Sequence, residues 1–164
     1  MRPILPMLLA ALLVPAIAMA EPAGQTFTAH LSGGEEVQAN DSIAAGRAIF
    51  HVWKDGTSID YKLIVANIEN VTQSHIHLAP AGANGGVVAW LYPSAPPAQL
   101  IPGRTDGILA TGTITGANLV GALAGQPLSA LIEHMRNGNA YVNAHTSQFP
   151  GGEIRGQIAA RGPQ

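Results

Sequence analysis

Residues 44–66 read AAGRAIFHVWKDGTSIDYKLIVA, in which two runs with apolar residues at alternate positions flank a Lys-Asp-Gly-Thr turn. Alternation with a period of two is typical of a β-strand that buries one face, and Asp-Gly between two such runs favours a hairpin. The return run places its apolar side chains on one face, namely Ile59, Tyr61, Leu63 and Val65. The stretch therefore predicts two antiparallel strands, Ala44 to Trp53 and Ser58 to Ala66.

Other short runs of the same kind occur between turn-forming residues along the rest of the chain. They predict further strands at Gln25 to Leu31, Ser74 to Ala79, Val87 to Tyr92, Ile108 to Thr115, Ala140 to Thr146 and Glu153 to Ala160. The proline-rich segment Ser94 to Asp106 is interpreted as a loop. Many short strands with glycine-rich turns indicate an all-β sandwich or barrel.

One short helix interrupts the strands. Apolar side chains recur at helical spacing at Leu128, Leu131, Ile132 and Met135, and Gly138 follows as a candidate C-terminal cap. We expect the helix to lie across one end or face of the sheet structure, with Glu133, His134 and Arg136 on its solvent side.

Composition excludes several classes of function. The chain has 164 residues, 8 basic and 10 acidic side chains, a formal net charge of −2 and no cysteine. Without a cluster of lysine and arginine, the electrostatic footprint of a nucleic-acid-binding protein is missing. Without cysteine there is no disulfide framework, no thiolate metal site and no cysteine nucleophile.

The N-terminus has the pattern of a secretion signal. A basic start at Arg2 is followed by the apolar run Ile4 to Met19, and Ala18-Met19-Ala20 has the small-x-small form that a signal peptidase cleaves. We therefore expect residues 1–20 to be a signal peptide and residues 21–164 to be one periplasmic or secreted domain. No second apolar run of membrane-spanning length follows, so no membrane span is expected in the mature chain.

Histidines carry the only chemistry that the sequence suggests. His75 and His77 stand two apart in a predicted strand, so they project to the same side, roughly 6.5–7 Å apart along the chain. His145 alternates in the same way in another strand, where Val142 and Ala144 are expected to be buried. Three imidazoles suit copper or zinc, while the lack of a thiolate argues against blue copper. The alternative is that these histidines only make hydrogen bonds on a strand surface.

Other catalytic arrangements are poorly supported. No serine lies in a Gly-x-Ser-x-Gly turn, and the glycines after His77 are not followed by a lysine that would complete a phosphate loop. The adjacent Glu35 and Glu36 are interpreted as a solvated loop pair. His30, His51 and His134 have no spacing that ties them to the other histidines.

The order of motifs resembles the CHRD domain, a module first described in chordin and also found singly in secreted bacterial proteins. The resemblance covers about residues 26–160 and rests on LSGGEEV (31–37), HIHLAPAGANG (75–85), AYVNAHT (140–146) and FPGGEIRGQI (149–158). Ala79 and Gln38 depart from the family pattern, where glycine and proline are usual. The resemblance implies a Greek-key β-sandwich of immunoglobulin or superoxide-dismutase character. It also implies that the shared histidines are His75, His77 and His145, and that Asn143, Thr146, Glu153 and Arg155 are structural.

The His-x-His strand also resembles, more locally, the copper strand of Cu,Zn superoxide dismutases. Those enzymes usually carry a disulfide and a histidine-rich zinc loop, and this chain has neither. Three functions therefore stay open. They are a protein that binds copper, or alternatively zinc, through the three histidines; an interaction module whose partner is another extracellular protein; and a redox enzyme of dismutase type.

Overall fold

The computed structural model describes residues 24–161, so the expected signal peptide at residues 1–20 lies outside the described part. Eight strands and one α-helix make up this part of the chain. The strands are β1 (Thr26–Ser32), β2 (Ala45–Val52), β3 (Ile59–His77), β4 (Val87–Tyr92), β5 (Ile101–Ile114), β6 (Tyr141–Thr146), β7 (Ile154–Gln157) and β8 (Ala159–Ala160). The helix α1 is Leu128–Arg136, and short 3₁₀ turns occur at Gly33–Glu35, Gly116–Asn118 and Gly121–Leu123.

The predicted hairpin forms between β2 and β3. The two strands pair antiparallel from Ala45 opposite Ala66 to Val52 opposite Ile59. In the turn, Gly56 has a φ of +68°, a left-handed conformation that glycine adopts without a steric penalty. The inward residues at the start of β3 are buried as expected, namely Ile59, Tyr61, Leu63 and Val65.

β3 corrects the prediction of two separate strands, Ser58 to Ala66 and Ser74 to Ala79, because both belong to one strand of 19 residues. The strand changes direction at Asn67 and Asn70, which have φ values of +57° and +54°. Asparagine tolerates this left-handed region better than most residues, so the chain bends without ending the strand. The first half of β3 pairs with β2 and β5, and the second half pairs with β6 and β4.

The interpretation of Ser94 to Asp106 as a loop is wrong at its C-terminal end. β5 begins at Ile101 and pairs with β3, with Ile101 opposite Val71 and Ile114 opposite Ile59. Pro102 is tolerated because β5 has a strand on one side only among the described residues. Glycine at Gly103 and Gly107, both with positive φ, accompanies the shifts of register along this edge.

The strands close into a barrel, since the order β2-β1-β7-β6-β3 returns to β2 through the β2–β3 pairing. Phe27, Phe50, Leu63, Ile76 and Ile154 are among the fully buried residues of its core. The prediction of an all-β sandwich or barrel with one short helix is confirmed.

The helix is also confirmed, with Leu128, Leu131, Ile132 and Met135 buried and Gly138 left-handed just beyond its end. His134 on this helix is half-buried rather than fully solvent-exposed. None of the helices within residues 24–161 has the length and apolar character needed to cross a membrane.

Candidate metal centre

Two neighbouring strands bring the predicted histidines together. His75 and His77 lie at the end of β3, and His145 lies near the end of β6. In the β3–β6 register, His75 is opposite Asn143, and His145 is opposite Gln73. Because alternate residues of a strand share a face, the three imidazoles project to the side of the sheet opposite Ile76 and the barrel core.

This outer side of the sheet is not open to solvent, contrary to the expectation that these side chains simply face away. His75 is 3% exposed, and His77 and His145 are each 7% exposed. The Trp90 ring lies against His75 with a centroid separation of 4.3 Å in an edge-on arrangement. The chain segments after β3 and after β6 also make contacts to His77 and His145. The histidines therefore occupy a small second interior between the sheet and its loops.

The imidazole nitrogens are close to the spacing of a metal site. Nδ1 of His75 lies 3.3 Å from Nε2 of His145. With one ligand nitrogen taken from each histidine, all three atoms lie within 4.8 Å of one another. Bonds of 2.0–2.1 Å in a tetrahedral site place nitrogen ligands about 3.3 Å apart, so no pair has to approach by more than about 1.5 Å to bind one ion.

Backbone carbonyls hold the Nδ1 atoms of two histidines. Nδ1 of His77 donates to the Gly85 carbonyl at 2.9 Å, and Nδ1 of His145 donates to the Pro150 carbonyl at 3.0 Å. A neutral imidazole that donates through Nδ1 carries its lone pair on Nε2. Metal-binding histidines typically hold their second nitrogen in this way. Nε2 of His145 is thus a potential ligand. Nε2 of His77 lies 2.9 Å from Oδ1 of Asn143, so His77 has an oxygen beside each ring nitrogen and can bind a metal ion only when that contact to Asn143 is released.

The third histidine has an unsatisfied nitrogen. Because Nε2 of His145 is an acceptor, Nδ1 of His75 is the donor in their 3.3 Å contact. Nε2 of His75 is then a bare lone pair, and this atom is buried without a hydrogen-bond partner. A buried polar atom without a partner costs about 1–3 kcal/mol, and a bound cation would supply the missing interaction.

Burial keeps all three imidazoles neutral. Desolvation, together with the neighbouring His145 and His77, lowers the pKa of His75 to about 3. Desolvation also lowers the pKa of His145 to about 4 and moves the pKa of His77 downward. A metal ligand must be deprotonated, so the set is ready to bind a cation at neutral pH without releasing protons to solvent first.

Aromatic and cationic groups support the His77 side of the site. The Tyr141 ring stacks on His77 with a centroid separation of 4.8 Å, and the Arg155 guanidinium lies 3.5 Å from the centre of the Tyr141 ring. Arg155 donates to the Pro80 and Ala83 carbonyls and to the Asn84 side chain. Arg155 is only 1% exposed, so it holds the loop after β3 and is not a surface group that guides anions.

The last hairpin is held by a second buried charge. The Glu153 carboxylate accepts hydrogen bonds from the hydroxyls of Ser42 and Thr146, each at 2.6 Å. The backbone N–H of Gly152 donates to the Phe149 carbonyl in the turn between β6 and β7. These bonds support the structural roles that the motif implied for Thr146 and Glu153, and they position the Pro150 carbonyl beside His145.

Some residues of the site carried no usable signal in the sequence. Gly85 and Pro150 contribute backbone carbonyls, which every residue has, so only the fold identifies them. Glu36, interpreted as solvated, is half-buried, and its Oε1 is buried without a hydrogen-bond partner. Burial raises the pKa of Glu36, and the positive charge of Arg155 opposes that rise. Glu36 directly follows the exposed Glu35, so the sequence does not indicate that the two side chains differ in burial.

The remaining histidines are not part of the cluster of His75, His77 and His145. His51 lies on β2 beside Trp53, with a centroid separation of 6.1 Å. His30 is exposed on β1, and His134 belongs to α1.

Comparison with known proteins places the chain in a family. The family model for the CHRD domain matches residues 27–158, which include β1 to β7 apart from the first residue of β1, while β8 follows the matched region. No curated protein and no solved structure matches the chain. The chain therefore belongs to the CHRD domain family.

Proposed function

We propose that this CHRD domain is an extracytoplasmic metal-binding protein that holds one copper or zinc ion through His75, His77 and His145. The observation that carries the proposal is the state of the imidazoles. Two of them are held through Nδ1 by backbone carbonyls, and the third has a buried Nε2 without a partner. A cluster that served only packing would have little reason to leave a buried nitrogen unsatisfied.

The chemistry of the ligands supports copper first and zinc second. All three groups are neutral nitrogen donors, and the cluster contains no carboxylate or thiolate. Imidazole suits both metals, while affinity for a given nitrogen site usually rises from zinc to copper. Calcium and magnesium are disfavoured because they prefer oxygen ligands.

Placement outside the cytoplasm supports the same function. We propose that residues 1–20 direct secretion and that residues 21–164 form the exported domain, in line with its membership of a family of extracellular modules. A cysteine-free histidine site is insensitive to thiol oxidation, which is an advantage in an oxidising compartment.

Isothermal titration of apo residues 21–164 with Cu(II), and separately with Zn(II), tests the proposal in a buffer that does not chelate metal. We expect one ion per chain, with affinity lost in a His75→Ala/His77→Ala double variant and kept in His134→Ala. Binding no tighter than that of an exposed histidine pair would instead favour an interaction module whose histidines only anchor loops.

A further inference from the structure

We infer that Glu36 is the entrance group that captures a metal ion in the groove beside residues 148–152 and passes it to the histidine cluster. This inference rests on the proposed function, since it requires that the cluster bind a metal ion. It assigns to Glu36 a step in loading, and not a place among the final ligands.

The groove is next to the histidine cluster. It has a volume of about 500 Å³, and Glu36 lines it together with Asn40, Asn84 and the segment Gln148 to Gly152. Pro150 in that segment accepts the hydrogen bond from His145 through its carbonyl. The wall of the groove is thus in direct contact with one of the three imidazoles, while Trp90 lies against His75.

Gly152 opens the space between the groove and the cluster. A Cβ atom at this position would collide with Oε1 of Glu36 and would lie 3.1 Å from Nδ2 of Asn143. Glu36 and Asn143 therefore flank one small space that any side chain at Gly152 would fill. The Asn143 side chain also lies 2.9 Å from Nε2 of His77. Asn143 thus lies between the space beside Gly152, which Glu36 borders on its other side, and Nε2 of His77.

The carboxyl group of Glu36 is free to bind a cation. Its Oε1 is buried and has no hydrogen-bond partner. Arg155, whose positive charge acts on Glu36, directs its own donors to the loop at Pro80, Ala83 and Asn84. A carboxylate attracts a divalent ion strongly in a partly desolvated position. Imidazoles prefer copper and zinc, so an ion captured at Glu36 gains by moving on to the histidines.

Stopped-flow mixing of the apo protein with Cu(II) tests the role of Glu36. Trp90 touches His75, so quenching of tryptophan emission reports arrival of the ion at the cluster. In Glu36→Gln we expect the association rate constant to fall by about tenfold, the lower end of typical electrostatic steering effects. Stoichiometry should stay at one ion per chain. The exposed neighbour gives a matched control, Glu35→Gln, which should change the rate by less than about twofold because solvent and salt screen it.

The outcomes separate the two proposals. If the wild-type protein binds no metal, both the function and the entrance are wrong. If it binds one ion but Glu36→Gln loads at the wild-type rate, or if both glutamine variants slow loading equally, the entrance is wrong and the function stands. Faster dissociation at an unchanged association rate would make Glu36 a ligand rather than an entrance. Restored loading in Glu36→Asp would support the need for a carboxylate.

Discussion

Both halves of β3 alternate inward-facing and outward-facing side chains, but the outward side chains of the two halves have different surroundings. In the first half, the outward residues Asp60, Lys62 and Ile64 are exposed or half-buried beside β2 and β5. In the second half, the outward residues His75 and His77 are buried beneath loops. Alternation thus predicts which side of a sheet a residue faces, while the covering of that side depends on loops elsewhere in the chain.

The covering loops turn a strand surface into a chemical site. The open half leaves its polar groups in water, where charges are screened and hydrogen bonds are exchanged with solvent. The covered half removes its imidazoles from water, which lowers their pKa values and exposes an unsatisfied nitrogen to any ligand that enters. Outward polar side chains therefore have different properties in the two halves.

Removing histidines from the covered half, and one from β2 beside the open half, should give the largest contrast. In His75→Ala/His77→Ala we expect metal affinity to fall by more than the roughly 10–100-fold that loss of a supporting residue causes, because ligands themselves are lost. In His51→Ala, which removes an outward histidine of β2 opposite Asp60 in the open half, we expect no change. Titration calorimetry gives the affinities, and circular dichroism confirms the fold. Equal losses in both variants would mean that binding is a general property of surface histidines.

Substitutions that loosen the loop after β3, which covers His77, should have the next largest effect. Arg155→Met removes three hydrogen bonds to the loop after β3, among them the one to the half-buried Ala83 carbonyl. We expect the free energy of unfolding to fall by about 2–4 kcal/mol. Lys62→Met, an exposed change in the open half, should stay within about 0.5 kcal/mol. Urea denaturation measures both, and similar small effects would show that the loop does not depend on Arg155.

Most of the fold could be predicted from local patterns. The hairpin at residues 44–66, the helix at Leu128 and the shared side of His75, His77 and His145 follow from periodicity and turn chemistry. The continuity of β3 and the start of β5 could not be predicted, because both depend on pairing between distant segments. Sequence shows Asn67 and Asn70 as strand breakers, while cross-strand hydrogen bonds keep the strand intact through the bend.

Of the candidate site, only the three histidines could be predicted from the sequence. The alternation of side chains along β3 and β6 shows that the three histidines share one side of the sheet. Their burial comes from Trp90 and from loops, and loop sequences have no periodic pattern that predicts such contacts. Glu36 shows the same limit, since nothing in Glu35-Glu36 indicates that one carboxylate is turned inward and the other outward. Burial of a loop residue is set by tertiary contacts rather than by its neighbours in sequence.

Acid should destabilise the apo protein because its buried histidines resist protonation. The folded-state pKa values of His75 and His145, about 3 and 4, lie below the unfolded value of 6.5, and that of His77 is lowered too. Below pH 6.5 the unfolded chain binds protons that the folded chain does not, so the free energy of unfolding falls as the pH falls toward 4. Each histidine contributes a slope of up to about 1.4 kcal/mol per pH unit.

Urea denaturation of the apo protein between pH 4 and pH 7 measures this slope. The His75→Ala variant should show a shallower dependence by one histidine's share. A flat profile in the wild-type protein would mean that the three histidines are protonated equally in the folded and unfolded states. It would then contradict the view that loops remove them from water.

The bend that separates the two halves of β3 should give the smallest effects. Asn67 is left-handed, and its side chain accepts a hydrogen bond from Arg104, an exposed contact. Asn67→Gly keeps the bend but loses that contact, so the free energy of unfolding should change by less than about 1 kcal/mol. Asn67→Val places a branched residue in the left-handed region and should cost about 1–2 kcal/mol. Metal affinity should be unchanged in both variants, because the bend lies before the paired segment that carries His75 and His77. A drop in affinity in Asn67→Val alone, measured by the same titration, would show that strain at the bend reaches the covered half.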